Sequence, residues 1–84
     1  MSYEKVSKAK QIVVGTKQTV KAIQKGNVVE VFVAIDADQL IVNPVIDSAK
    51  QHDVPIEYVQ SKNELGKACG IDVLASAVGI IREK

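Results

Sequence analysis

The chain is poor in nearly everything that catalysis and base stacking require. It has one cysteine, one histidine and no tryptophan among 84 residues, and its aromatics are Tyr3, Phe32 and Tyr58. A lone Cys69 excludes an internal disulfide and fits a reducing cytoplasm. Cys69 and His52 are too few for a structural zinc site, and Asp36 with Asp38 supply only two oxygen donors, which suits a loop or a helix cap better than a cation. No metal and no cofactor is therefore expected. His52 lies between Gln51 and Asp53 at a polar helix end, and Cys69 lies on an apolar helix side, so no nucleophile has a base beside it. Neither GxxxxGK[ST] nor GxGxxG follows any strand-like run, which argues against nucleotide enzymes of those families. The longest nearly apolar run, Val28 to Ile35, contains Glu30 and is far short of the roughly 20 residues a membrane helix needs. The opening MSYEKVSKAK has no apolar segment of the signal-peptide kind. These absences predict a non-enzymatic, cytoplasmic protein that keeps clear of membranes.

What is present is a foldable composition with an uneven charge. Hydrophobic residues make up 46% and charged residues 25%, enough for one domain with a core but too few residues for a second catalytic unit. The net charge is only +1, yet Lys5 to Val29 holds Lys5, Lys8, Lys10, Lys17, Lys21 and Lys25 with no acid. Glu30 to Tyr58 holds Glu30, Asp36, Asp38, Asp47, Asp53 and Glu57 against Lys50 alone. If folding keeps the signs apart, a nearly neutral protein presents a basic patch suited to a polyanion; otherwise the lysines coat solvated helices.

Periodicity gives alternating elements. A first helix is predicted over Ser2 to Ala9, with Ser2 as its cap, and a short strand over Gln11 to Val14. A second helix runs from Thr16 to Lys25, turning Thr19, Val20 and Ile23 inward and Lys17, Lys21 and Lys25 outward. Val28 to Ala34 reads as a central strand covered on both faces. Asn43 before Pro44 marks the start of a third helix reaching about His52. A strand ending at Val59 leads into VQSKNELGKACGIDV, Val59 to Val73, where Ser61 and Glu64 have the spacing of a capping box and Gly70 stops the helix. Ala77 to Ile81 is the last strand. The expected fold is a three-layer α/β/α sandwich: a single mixed sheet of about four strands with helices on both faces. Ile71 and Val73, apolar beside Asp72 where the chain should turn, fit either burial or a contact surface.

With so few aromatics, a nucleic-acid partner would be read by shape. Gly15 and Thr16 open the second helix, whose free amides attract phosphate, with Lys17, Gln18 and Lys21 projecting nearby. Lysine and glutamine can donate to guanine O6 and N7, edges that a regular RNA helix hides and a distorted one exposes.

Two segments, GTKQTVKAIQKG (Gly15 to Gly26) and VQSKNELGKACGIDV, above all Ser61, Lys62, Leu65, Gly66, Ala68 and Gly70, make the chain resemble, over nearly its full length, the kink-turn-binding ribosomal proteins of the L7Ae type and their bacterial relatives. The resemblance implies a non-enzymatic domain over residues 1–84, monomeric, that grips kink-turn RNA, a sharp bend built on tandem sheared G·A pairs, in ribosomal RNA or a structured regulatory RNA. It implies backbone approach at Gly15 and Thr16, guanine edges for Lys17 and Gln18, and a base edge or phosphate for Lys21. Lys62 would lie near the RNA backbone, and Ile71, Asp72 and Val73 would cradle an extruded base. Most members have Asn and Glu where this chain has Lys17 and Gln18, which bears on affinity and on preference among kink-turns. The alternative is a protein-interaction module on the same fold, docking through its apolar loop and acidic middle segment.

Overall fold

The computed structural model describes residues 2–9, 11–71 and 73–82. Helices and strands alternate: α1 (Ser2–Lys8), β1 (Ile12–Val14), α2 (Thr16–Gln24), β2 (Val28–Ala34), α3 (Gln39–Gln51), β3 (Ile56–Val59), α4 (Lys62–Ala68) and β4 (Ala77–Ile81). The strands form one sheet in the order β1-β4-β2-β3, with β4 antiparallel to both β1 and β2, and β3 parallel to β2. This is the mixed four-stranded sheet expected from the sequence. Among the described residues no helix is long and apolar enough to cross a membrane.

The apolar run of β2 is explained by its two faces. Successive strand side chains point to opposite sides. Val31 and Val33 therefore meet Ala22 and Ile23 of α2 and Val42, Val45, Ile46 and Ala49 of α3, while Phe32 and Ala34 meet Val6 of α1 and Leu65 of α4. Helices cover both faces, giving three layers. Thr19, the one polar side chain of α2 that is fully buried, donates its hydroxyl to the Gly15 carbonyl at 2.6 Å. Ala22 is buried and Val20 only half-buried, so the inward stripe of α2 lies one step around from the Thr19, Val20, Ile23 expectation.

The third helix begins earlier than Asn43-Pro44 suggests. Its N-cap is Asp38, whose Oδ1 accepts from the Leu40 amide at 3.0 Å, and Pro44 sits inside the helix. Burial explains why the helix extends through the proline: Val42 belongs to the same inward stripe as Val45, Ile46 and Ala49. Proline cannot donate to the carbonyl four residues back, that of Leu40. Leu40 is exposed, so water can serve that carbonyl instead. His52 caps the far end.

Candidate functional site

Strand direction decides which loops meet. β1 runs antiparallel to β4 with Val14 opposite Val78, so the end of β1 lies beside the start of β4. The Gly15 amide donates to the Ala77 carbonyl at 2.9 Å, and the Ala34 amide, at the end of β2, to the Ser76 carbonyl at 3.0 Å. The Ile35 amide reaches the Val59 carbonyl at 2.8 Å. Four segments therefore gather at one end of the sheet: Gly15 with the start of α2, Ile35 to Asp38, Gln60 with Ser61, and Val73 to Ser76.

The first lip of this end is α2. Gly15 is its N-cap at φ 101°, ψ 148°, a conformation open essentially only to glycine, and no side chain caps the helix. The chain turns sharply from β1 into α2 there, leaving the first helical amides of Thr16, Lys17 and Gln18 directed outward at the positive end of the helix dipole. Lys17, Gln18 and Lys21 are exposed. Lys17 and Lys21, with Thr16, Val20 and Pro44, line a shallow cleft of about 430 Å³ between α2 and α3.

The second lip is the loop after α4, and its position is set by backbone contacts. Ser61 caps α4 through its hydroxyl, which accepts from the Glu64 amide at 3.2 Å. The Lys62 amide donates to Asp36 Oδ1 at 2.8 Å, and the Lys62 carbonyl accepts from the Ala75 amide at 3.1 Å. Lys62 thus joins α4 to two loops through its main chain. The Ile71 amide returns to the Gly66 carbonyl at 3.2 Å. A side chain at Gly66 would run into the Val73 carbonyl, so this glycine sets how closely the loop lies on the helix. Ile71 is half-buried and Val73 is 65% exposed; Asp72 lies outside the described residues. Ile71 is thus partly buried, whereas Val73 stays on the surface.

Sequence reasoning missed several residues here. Asp36 does take the loop and cap role expected of it, but the helix start it serves lies 26 positions further along, a partner that the sequence does not indicate. Ile35, Leu40 and Leu74 are also exposed at this end, extending the apolar surface beyond Ile71 and Val73. Leu74 could have been found as the continuation of the Ile71, Val73 pattern; Ile35 was hidden in the apolar run of β2. Asp36 and Asp38 both face helix N-terminal amides, which offsets their negative charge beside the lysine-bearing lip. Cys69 is half-buried, and burial pushes its thiol pKa up, so it is no activated nucleophile. Asp36→Ala is expected to lower stability by about 1 kcal/mol. Hydrogen exchange at the Lys62 amide should accelerate more than at core amides of β2.

A three-layer α/β/α protein with a cationic helix start and an apolar loop at the same end of its sheet presents a candidate binding surface made of loops. The sequence model of the ribosomal protein L7Ae/L30e/S12e/Gadd45 family matches residues 2–84, and the chain belongs to that family. It is 55% identical over 82 residues to an RNA-binding protein of Geobacillus sp. (strain WCH70), covering 98% of this chain and all of that one. With the RNA-binding protein YbxF of Geobacillus stearothermophilus it shares 51% identity over 82 residues, 98% of this chain and 100% of the relative. Among solved structures, the 15.5kD RNA-binding protein of Giardia lamblia superimposes with a TM-score of 0.86 at 26% identity, over 98% of this chain and 69% of that one.

Proposed function

We propose that this chain is a non-enzymatic RNA-binding protein that selects and stabilises the bent form of kink-turn RNA, acting as one unit over residues 1–84 in the cytoplasm as a monomer, on ribosomal RNA or a structured regulatory RNA. RNA binding is supported by the family and by relatives that carry that description over their whole length. The observation that carries the kink-turn reading is that the start of α2 and the segment leading into β4 emerge at the same end of the sheet, where the Gly15 amide donates to the Ala77 carbonyl. A regular duplex offers nothing for an apolar loop to hold, whereas a bend with an extruded base offers a base face beside an opened groove.

In this reading Gly15 and Thr16 bring the backbone of α2 close to the G·A pairs. Lys17 and Gln18 donate to guanine O6 and N7, and Lys21 meets a base edge or a phosphate. Lys62 lies near the RNA backbone, and Ile71, Asp72 and Val73 receive the extruded base. Lysine in place of the family's usual asparagine keeps the donor but loses the amide's acceptor, and Gln18 cannot accept from a guanine amine as strongly as a carboxylate does. The protein does no chemistry: its binding free energy is spent on shifting an RNA equilibrium between extended and bent forms.

The test compares a kink-turn RNA with the same RNA carrying Watson–Crick pairs in place of the G·A pairs, by gel shift and end-to-end fluorescence transfer. Binding at least about tenfold weaker to the substituted RNA, with no bending, is expected. Equal binding to both would reject kink-turn selection.

A further inference from the structure

The outer side of the α2–α3 layer carries hydrophobic residues that the fold leaves in water. β1 and β2 are both antiparallel to β4 and so run the same way. α2 leaves the end of β1 and α3 the end of β2, and both pack on one face of the sheet, so the two helices lie side by side and parallel. Leu40, Pro44 and Asp47 are four and three residues apart, which lines them up along the outer side of α3. Leu40 is 80% exposed, and Ile41 beside it is 48% exposed. The cleft of about 430 Å³ between the helices continues this apolar strip, with Val20 and Pro44 in its lining and Lys17 and Lys21 on its α2 side. Contiguous apolar surface of this kind marks a place of contact.

The charges beside the strip indicate what covers it. Lys21 stands on the α2 side and Asp47 on the α3 side, both exposed. Pro44 lies opposite the stretch from Lys17 to Lys21, and Asp47, three residues further along α3, is about 4.5 Å lower, near the level of Lys21. A base and an acid at one height on opposite sides of an apolar strip make the surface complementary to itself. A two-fold rotation about an axis over the strip, parallel to the helices, lays α2 of one copy on α3 of another with both still running the same way. Lys21 then meets Asp47 of the second copy, Asp47 meets its Lys21, and the two apolar strips close on each other between these pairs. A net charge of +1 opposes that approach little.

We propose that this face is a self-association surface: without RNA, two copies pair through Leu40, Ile41 and Pro44 and through reciprocal contacts of Lys21 with Asp47, and the pairing covers the lysines that RNA needs. Its second half rests on the kink-turn reading. The monomer is then the RNA-bound form, and RNA and the second copy each weaken the other's binding by the same factor.

Sedimentation equilibrium of the full chain without RNA, from about 10 μM to about 1 mM, tests the pairing in a range suited to a small interface. The weight-average mass should rise from that of one chain toward that of two. Leu40→Asp should weaken association at least about tenfold, and so should Lys21→Asp or Asp47→Lys alone, each of which sets like charges face to face. An equimolar mixture of Lys21→Asp and Asp47→Lys chains brings opposite charges together at both contacts. It should recover association to within about threefold of the unaltered chain, which misfolding of either variant would not give. The mass of one chain at every concentration, association indifferent to these variants, or no recovery in the mixture overturns the proposal. Kink-turn RNA in slight excess should return the protein to one chain per RNA, and two chains retained on one RNA would overturn the exclusion. Because the pairing is read without RNA, a failure of kink-turn binding and a failure of self-association give different results.

Discussion

Gly66→Ala is expected to destabilise the folded chain by about 3 kcal/mol and to weaken kink-turn RNA binding beyond what that loss alone would cause. The added methyl has no free space: it meets the main-chain carbonyl of Val73, which cannot rotate away as a side-chain end could. Overpacking of this kind costs about 1–3 kcal/mol even against movable neighbours. Relief requires the loop from Ile71 to Leu74 to lift from α4. That in turn strains the Ile71 amide to Gly66 carbonyl bond and the Ala75 amide to Lys62 carbonyl bond that fix its two ends. In a domain of this size each kcal/mol moves the thermal midpoint by roughly 4–8 °C, so a fall of about 12–24 °C should be seen by circular dichroism. RNA affinity is then measured well below the variant's midpoint, where nearly all of it is folded. Lys67→Ala, next along the helix and exposed, should change the midpoint by less than about 0.5 kcal/mol equivalent. A Gly66→Ala protein with an unchanged midpoint and unchanged affinity would show that the loop does not lie on the helix as described.

Local patterns carried the sequence reading wherever the cause of a structure is local. β2 and β4 have the expected bounds because a β-branched run bordered by turn residues allows little else, and α4 begins at Lys62 because Ser61 caps it. Asn43-Pro44 misled for a physical reason. Asn and Pro at those positions satisfy a helix start taken by themselves, but the inward stripe reaching back to Val42 outweighs one missing hydrogen bond at an exposed turn. Tertiary burial overrode a local signal there. The partner of Asp36 was illegible for the opposite reason, since nothing near it in sequence shows that a helix start 26 residues later depends on it. The two lips were identifiable as segments, through a glycine-threonine helix opening and an apolar loop. Their emergence at one end of the sheet follows only from β4 running antiparallel between β1 and β2, a pairing that no residue pattern specifies.

That arrangement implies a division of labour between the lips, which salt can separate. Lys17 and Lys21 are exposed charges on α2, whereas Val73 is an exposed apolar residue on the loop before β4. Each lysine that neutralises a phosphate releases counterions, and the affinity then falls with salt by nearly one logarithmic unit per contact. Lys17→Ala with Lys21→Ala is expected to weaken kink-turn binding on the order of 100-fold near 0.1 M salt, the sum of lost guanine donors and lost phosphate attraction. Where both lysines meet phosphate its salt slope should be shallower by about two, and by about one if Lys17 is bound only to a guanine edge. Val73→Ala removes apolar contact alone, at about 25 cal/mol per Å² of surface withdrawn from water, so it should cost up to about tenfold with no change in slope. Filter binding from 0.05 to about 0.5 M salt separates the two. A double lysine variant with an unchanged slope would place both lysines away from phosphate, and a Val73→Ala slope as shallow as the lysine variant's would mean that the loop variant had disturbed the whole site. The slopes test more than the affinities do, because a general loss of structure lowers affinity through either lip but cannot leave the ionic contacts counted correctly in one variant and missing in the other.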